Sequence, residues 1–211
     1  MPAEPALKRA VAFFDGQNLF HAAREAFGYN YPNYDPLELA LSVTSLKGWR
    51  LEEARFYTGV PDNRDEPFWN HFWTAKLAQM GREGLTTYSR PLRYQNRVVK
   101  LPDGSTHSEL VGHEKGIDVR IALDIVGAVL ENKLDVAVVF SQDQDLSEVA
   151  DELRAILKRQ DRWIKMASAF PVSPTSRNIR GINRTDWIPI ERAVYDKCLD
   201  LRDYRPKPPA P

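Results

Sequence analysis

The 211-residue sequence predicts an α/β fold: a doubly wound, mostly parallel sheet with helices on both faces and one inserted β-hairpin. Three observations lead there. Apolar strand-like segments alternate with amphipathic helical ones along the whole chain. Two of the strands, VAFF at 11–14 and LDVAVVF at 134–140, are unbroken apolar runs, as expected of central strands covered on both faces. The stretch between the strand ending at Arg90 and the helix opening at Gly116 is too long for a plain connection. Within it, VVKL-PDGS-THSEL reads as a hairpin around Pro102, Asp103 and Gly104, placed to wall or cover a site.

Taken in order, VAFF is followed by a helix over 18–28, with Leu19, Ala22, Ala23 and Ala26 on one face and Gly28 at its C-cap. EARFYTGV (53–60) is the next strand. FWNHFWTAKLAQMGREG (68–84) is helical with apolar residues on two sides, so Trp69 and Trp73 fit either the core or a homo-oligomer face. LTTYSR (85–90) is a strand, and the hairpin follows it. GIDVRIALDIVGAVLENK (116–133) repeats apolar residues every three to four positions, as does the helix over 145–159 through Leu146, Val149, Leu153, Ile156 and Leu157. RWIKMAS (162–168) and WIPI (187–190) complete the strands. ERAVYDKCLD closes the chain with a helical pattern that makes Cys198 a small apolar core or edge residue. The segments form one domain over 9–204, between Pro- and Ala-rich ends at 1–8 and 205–211 that read as flexible.

Composition narrows the function. The sequence is 43% hydrophobic and 27% charged, the balance of a soluble globular protein, and has no apolar run of about 18 residues to span a membrane. The N-terminus MPAEPALKRA lacks the apolar core of a secretory signal, and a single cysteine fits a reducing cytoplasm. With 29 basic and 29 acidic side chains the net charge is zero, which leaves room for a local basic groove but not for a uniformly basic coat. No G-x-G-x-x-G follows the first strand and no P-loop occurs, which speaks against a dinucleotide enzyme or a Walker-type ATPase.

The carboxylates carry the chemistry. Asp15 ends the first apolar strand, Asp143 and Asp145 follow the other, and Asp118 sits in the first turn of the helix after HEKG. In a parallel sheet these groups share one rim, at the carboxyl ends of the strands. Anions gathered there are costly unless a cation neutralises them, and hard oxygen donors suit Mg²⁺ or Mn²⁺. Each acid also has a plainer reading: Asp15 as a helix cap, Asp118 as a charge favoured at a helix N-terminus, Asp145 as the N-cap of helix 145–159. Asp124, about 240° around the helix from Asp118, is placed for a structural hydrogen bond or ion pair. His107 and His113 read as solvated residues of the hairpin.

VAFFDGQNLF, HEKGIDVRIALDIV and VVFSQDQDLSEVA together resemble the three signature blocks of the NYN domain family, a PIN-like group of nucleases. The pattern is an apolar strand ending in Asp-Gly-x-Asn, then Lys-Gly-x-Asp opening a helix, then a strand ending in Ser-x-Asp-x-Asp. The resemblance implies a PIN-like, Rossmann-like fold and metal-dependent RNA cleavage. It implies Asp15, Asp118 and Asp143 as metal-binding acids with Asp145 as a fourth. It further implies Asn18 orienting a phosphate or water, Ser141 supporting the loop, and Lys115 touching acid or phosphate. The sequence departs from the family at Gln142, where Ser-Gly-Asp is common; Gln142 either narrows access or reaches the substrate with its amide.

Basic and aromatic residues on the hairpin approach, Arg90, Arg93, Tyr94, Arg97 and Lys100 with Tyr88, fit single-stranded nucleic acid as well as they fit a solvated ribbon. Arg177, Arg180 and Arg184 form a second cluster able to steer a polyanion. The leading expectation is a ribonuclease for single-stranded RNA, with DNA open as a second substrate. The alternatives are a catalytically weak nucleic-acid-binding or regulatory module, which Gln142 favours, and a small-molecule enzyme on this fold.

Overall fold

Apolar strands and amphipathic helices alternate in space as they do in the sequence. The structure, a computed structural model, describes residues 2–100 and 104–206. Its elements are β1 (Arg9–Asp15), α1 (Gly16–Phe27), α2 (Pro36–Leu46), β2 (Arg50–Val60), α3 (Pro67–Arg82), β3 (Thr86–Pro91), β4 (Arg93–Lys100), β5 (Thr106–His113), α4 (Ile117–Leu130), β6 (Val136–Phe140), α5 (Ser147–Gln160), β7 (Lys165–Pro171), β8 (Asp186–Ile190) and α6 (Arg192–Tyr195).

Six strands form one sheet in the order β3-β2-β1-β6-β7-β8, and every pairing in it is parallel. The two unbroken apolar runs, β1 and β6, lie at its centre. The chain winds outward from β1 through β2 and β3, then restarts at β6 and winds the other way. The strand order therefore reverses between β1 and β6, and the crevice at their carboxyl ends is where such sheets bind ligands. β4 and β5 form a separate antiparallel ribbon from Arg93↔His113 to Lys100↔Thr106. It is longer than the hairpin the sequence outlines; Pro102 and Asp103 of its turn lie outside the described residues, and Gly104 takes a φ of +84°. His107 and His113 are exposed on it.

Strand alternation divides the core in two. Ala10, Ala12 and Phe14 of β1 pack with α1, α2 and α3, while Val11 and Phe13 pack with α4 and α5 on the other face. The Phe14 ring stacks on Phe140 of β6 with centroids 4.0 Å apart. Burying a ring of this size stabilises by about 1.5–3 kcal/mol, and the pair fixes the two strand ends that carry Asp15 and Ser141.

Some local structure departs from the sequence expectations. Helix α1 starts at Gly16, directly after Asp15, and ends at Gly28 with φ +79° as expected. Helix α2 is absent from the sequence-level segments, yet Asp35 accepts from the N–H groups of Leu37 and Glu38 at 2.9 and 3.1 Å, and Pro36 opens the helix. Trp73 is 5% exposed and Trp69 packs half-buried against the same cluster, so Trp73 belongs to the core and not to an oligomer face. Helix α6 is only four residues long and passes into a 3₁₀ turn at Asp196–Cys198, which buries Cys198.

The chain beyond α6 is held by a buried ion pair. Lys76 of α3 is 1% exposed; its Nζ lies 3.1 Å from the Asp200 carboxylate and donates to the Tyr34 carbonyl at 2.8 Å. Tyr204 donates to Asp200 at 2.7 Å. Among the described residues no helix is long and apolar enough to cross a membrane.

Candidate active site and adjoining groove

Asp15 is the N-cap of α1 and sits at the end of a central strand, and both facts are needed to understand it. Its Oδ1 accepts from the Asn18 N–H at 3.0 Å and its Oδ2 from the Ser141 hydroxyl at 3.3 Å. Only 6% of the residue is exposed. Burial pushes its pKa up to about 6; the charges of Asp143 and Asp118 push the same way, and the two hydrogen bonds oppose them. A residue with a purely capping role has no reason to face two further carboxylates.

The loop after β6 is built around the same acid. Ser141 Oγ also accepts from the Asp143 N–H at 3.1 Å, and its carbonyl accepts from Ser168 Oγ at 2.7 Å. Asn18 Oδ1 accepts from the Gln142 N–H at 2.9 Å. Asn18 thus ties the start of α1 to the end of β6. That is a positioning contact made through its Oδ1.

Asp118 follows Gly116, which has a φ of +77° as the N-cap of α4. The left-handed φ favours glycine in Lys-Gly-x-Asp, and the Arg90 guanidinium lies close over it, with Nη1 2.9 Å from where a Cβ would stand. Asp143 Oδ1 accepts from the Asp145 N–H at 3.0 Å and caps the 3₁₀ turn Gln144–Leu146. This reverses one expectation: Asp143 supplies the cap, while Asp145 lies within the turn, exposed, and does not line the acid cavity.

That cavity, of ≈ 270 Å³, is lined by Asp15, Glu114, Lys115, Gly116, Ile117, Asp118 and Asp143. Glu114 is the acid that sequence reasoning passed over. Its carboxylate accepts from the Gly59 N–H at the end of β2, and a Cβ on Gly59 would meet Leu92 at 2.4 Å and Glu114 at 3.0 Å. Burial pushes Glu114 up to about 7, with Asp15 and Asp118 adding to the rise and the Gly59 N–H opposing it. The signal for it was present, an acid immediately before the Lys-Gly-x-Asp block.

The donor set is all hard oxygen, which suits an ion of the Mg²⁺ type. Among the described residues no three acidic, histidine or cysteine side chains close on one point as an all-protein cage requires. Mg²⁺ does not need such a cage, since it keeps several waters and takes one or two direct carboxylates. The residues fit an ion held in that way.

A second cavity, of ≈ 660 Å³, shares Lys115 and Gly116 with the first. Arg90, Arg93, Lys115 and Arg120 supply its charge, and Leu92, Val119 and Leu123 its apolar floor. Arg90 donates to the Tyr88 hydroxyl at 2.5 Å, and the Arg120 guanidinium lies 5.0 Å from the Tyr88 ring centroid. Among the described residues Arg90, Arg93 and Lys115 pair with no carboxylate, whereas Arg120 pairs with Asp124 at 2.9 Å. Asp124 also accepts from Tyr57 at 2.8 Å, the structural role expected of it.

The other basic candidates lie elsewhere. Tyr94 accepts from the Asp62 N–H at 3.0 Å, and Arg97 and Lys100 continue along the exposed ribbon without lining either cavity. The Arg177 N–H donates to Glu25 at 2.5 Å, and Arg180 Nη2 donates to Asn183 at 3.3 Å; neither residue enters the acid cavity. Gln142 turns away from that cavity as well. Its amide donates to the carbonyls of Asn178 and Arg180 at 3.2 and 2.9 Å, and Gln144 donates to that of Gly181 at 3.1 Å. Gln142 therefore neither narrows the cavity nor reaches into it.

The NYN domain family profile matches residues 9–161, nearly three-quarters of the chain, and includes Asp15, Glu114, Asp118 and Asp143. The chain belongs to the NYN domain family, a PIN-like nuclease family. No curated protein matches it. Among solved structures, a protein of unknown function from Vibrio parahaemolyticus RIMD 2210633 is 16% identical over 88% of this chain and 94% of that one, with a TM-score of 0.49. A deacetylase of teicoplanin biosynthesis, solved with teicoplanin, is 17% identical over 75% of this chain and 68% of that one, with a TM-score of 0.31. Both likenesses are too remote to bear on function.

Proposed function

We propose that this protein is a metal-dependent hydrolase of phosphodiester bonds that acts on single-stranded RNA. One observation carries the reading: the four-acid cavity at the strand-order reversal shares the wall formed by Lys115 and Gly116 with a groove whose charged lining is wholly basic. A polyanion is attracted along the groove and repelled by the acids, and a divalent cation removes that repulsion where the backbone meets them.

Asp15, Asp118 and Asp143 would hold the ion, with Glu114 beside them and Asp145 outside the cavity. When bound, such an ion activates water for attack on phosphorus and neutralises charge on the phosphate. The remaining work falls to the chain itself. Ser141 and the Asn18 N–H hold both oxygens of Asp15 in place. Asn18, through Gln142, keeps the Asp143 loop against α1. Lys115, Arg90 and Arg93 bind phosphates on the way to the acids. Glu114, whose carboxyl half-titrates near pH 7, is able to hold or release a proton at its Oε atoms.

The test is cleavage of end-labelled RNA in Mg²⁺ and in Mn²⁺. Turnover abolished by chelator and by Asp15→Asn supports the hydrolase. RNA bound but uncut in both ions supports a second reading, a binding module that keeps the acidic cavity without turnover. DNA of the same sequence shows whether the sugar matters. The buried Cys198, without a disulfide partner in the chain, accords with work in the cytoplasm.

A further inference from the structure

A third cavity, of ≈ 180 Å³, lies beside the acid site and has no part in the proposed chemistry. Gln17, Phe20, His21, Glu66, Trp69 and Leu92 line it. Two connections tie it to the site. Gln17 stands between the acid-bearing strand end and Asn18, and Leu92 also forms part of the floor of the basic groove.

Its walls are aromatic. The Phe20 and Trp69 rings lie 6.3 Å apart at 51°, and Phe20 and His21 lie 5.5 Å apart. The volume falls below the roughly 300–1,000 Å³ of sites for drug-sized ligands, a space on the scale of one flat ring system. Its charge differs from that of the groove. Glu66 is a carboxylate, which repels phosphate, and together with the Gln17 amide it can accept from the exocyclic amine of a base. Phosphates are thus directed to Arg90, Arg93 and Lys115, and a heteroaromatic ring to the aromatic cavity.

We propose that this cavity receives one unstacked nucleobase of a single-stranded nucleic acid whose backbone lies in the basic groove. The inference rests on the hydrolase reading for the nature of the ligand, and it adds a structural reason for strand preference. A base paired inside a duplex cannot enter such a pocket without being extruded, whereas a single strand presents its bases freely.

The experiment uses the full chain with Asp15→Asn in Mg²⁺, where that change is expected to abolish cleavage while the cation still offsets the remaining acids. Single-stranded RNA oligonucleotides carry 2-aminopurine at successive positions, and fluorescence is read on binding. Quenching concentrated at one position is expected, lost in Phe20→Ala and kept in Phe20→Tyr. An abasic residue at that position lowers affinity about 5- to 150-fold, the range of one base–aromatic stack. This last measurement needs no change to the pocket, so a poorly folded Phe20→Ala protein does not spare the idea. Equal affinity for a duplex, indifference to abasic residues at every position, or no binding at all overturns it. The two readings fail separately. Metal-dependent cleavage that ignores abasic sites leaves the hydrolase and removes the pocket, while position-specific quenching without cleavage in Mg²⁺ or Mn²⁺ keeps the pocket and removes the hydrolase.

Discussion

Asn18 Oδ1 accepts a hydrogen bond from the backbone N–H of Gln142 at 2.9 Å, across 124 residues of chain. The bond joins the helix that begins at Asp15 to the loop that carries Asp143, the two central acid-bearing segments. Asn18→Ala leaves the Gln142 N–H unpaired in a half-buried setting, at a cost of about 1–3 kcal/mol. We expect the melting temperature to fall by several degrees and turnover to fall more than substrate affinity, with partial recovery in Asn18→Asp, which keeps an acceptor. Thermal denaturation and a split of kcat from KM check this; an unchanged kcat with a normal fold removes the positioning role.

The raised pKa of Asp15 predicts a pH-dependent cost. An ordinary aspartate titrates near 4, and in the folded protein Asp15 titrates near 6. Folding therefore favours its protonated form. The associated stability is fully present below about pH 4 and is lost as the pH rises through about 6. The loss is on the order of 2–3 kcal/mol, because two pKa units are involved. In chelator, Asp15→Asn is expected to melt about 5 °C above the wild type at pH 8, with the gap closing by pH 4–5. A gap that does not shrink on acidification shows that Asp15 carries no such burden.

Glu114 and Asp15 together predict that cation binding releases protons. Each is partly protonated between pH 6 and 7, and a divalent ion favours the ionised form of both. Titration calorimetry with Mn²⁺ at pH 6.5, in buffers of different ionisation enthalpy, is expected to show about one proton released per ion. The release diminishes in Glu114→Gln and vanishes by pH 9. Binding without proton release separates these acids from the ion.

The groove predicts salt dependence. Arg93 lines it without a carboxylate partner among the described residues. Arg93→Gln should weaken RNA binding for all sequences alike and lower the slope of log affinity against log salt by about 0.7. Arg97→Gln, on the exposed ribbon, serves as the comparison and is expected to change the slope far less.

The pair of Lys76 and Asp200 predicts a stability effect remote from the acids. Burial lowers the Lys76 pKa while Asp200 raises it, and both side chains are almost wholly covered. Lys76→Met leaves Asp200 to Arg202, whose Nε lies 3.1 Å away, and takes the donor from the buried Tyr34 carbonyl, so it should cost about 1–3 kcal/mol. Lys76→Met combined with Asp200→Leu should recover part of that loss in urea denaturation, since apolar replacement of the pair removes two desolvated charges and Arg202 keeps Asp35 and Glu83 as partners.

Much of this was legible in the sequence because it depends on short-range patterns. The unbroken apolar runs at 11–14 and 134–140 marked the two central strands, and the acids after them fell at the reversal point they create. Glu114 was missed because its carboxylate owes its place to Gly59, 55 residues away, and no local spacing encodes that contact. Gln142 was misread for the same reason: what its amide reaches depends on where residues 178–180 return to the loop. The basic residues divided by register. Arg90 and Arg93 stay near the sheet edge and meet α4 in the groove, whereas Arg97 and Lys100 run out along the ribbon. Helix α2 carried a visible start at Asp35-Pro36 but was outweighed by the stronger patterns around it.

The pairing of β6 with β7 has a practical consequence for anyone trimming this protein. The stretch carrying every family signature stops at residue 161, before β7 begins. A chain cut there keeps all four cavity acids, yet it bares the Val136–Val139 side of β6 as an open hydrophobic edge. It also leaves Gln142 and Gln144 without the 178–181 carbonyls that their side chains grip. Open apolar strand edges recruit other chains, so the shortened protein would be expected to precipitate. The signature region and the foldable unit are different lengths of the same chain.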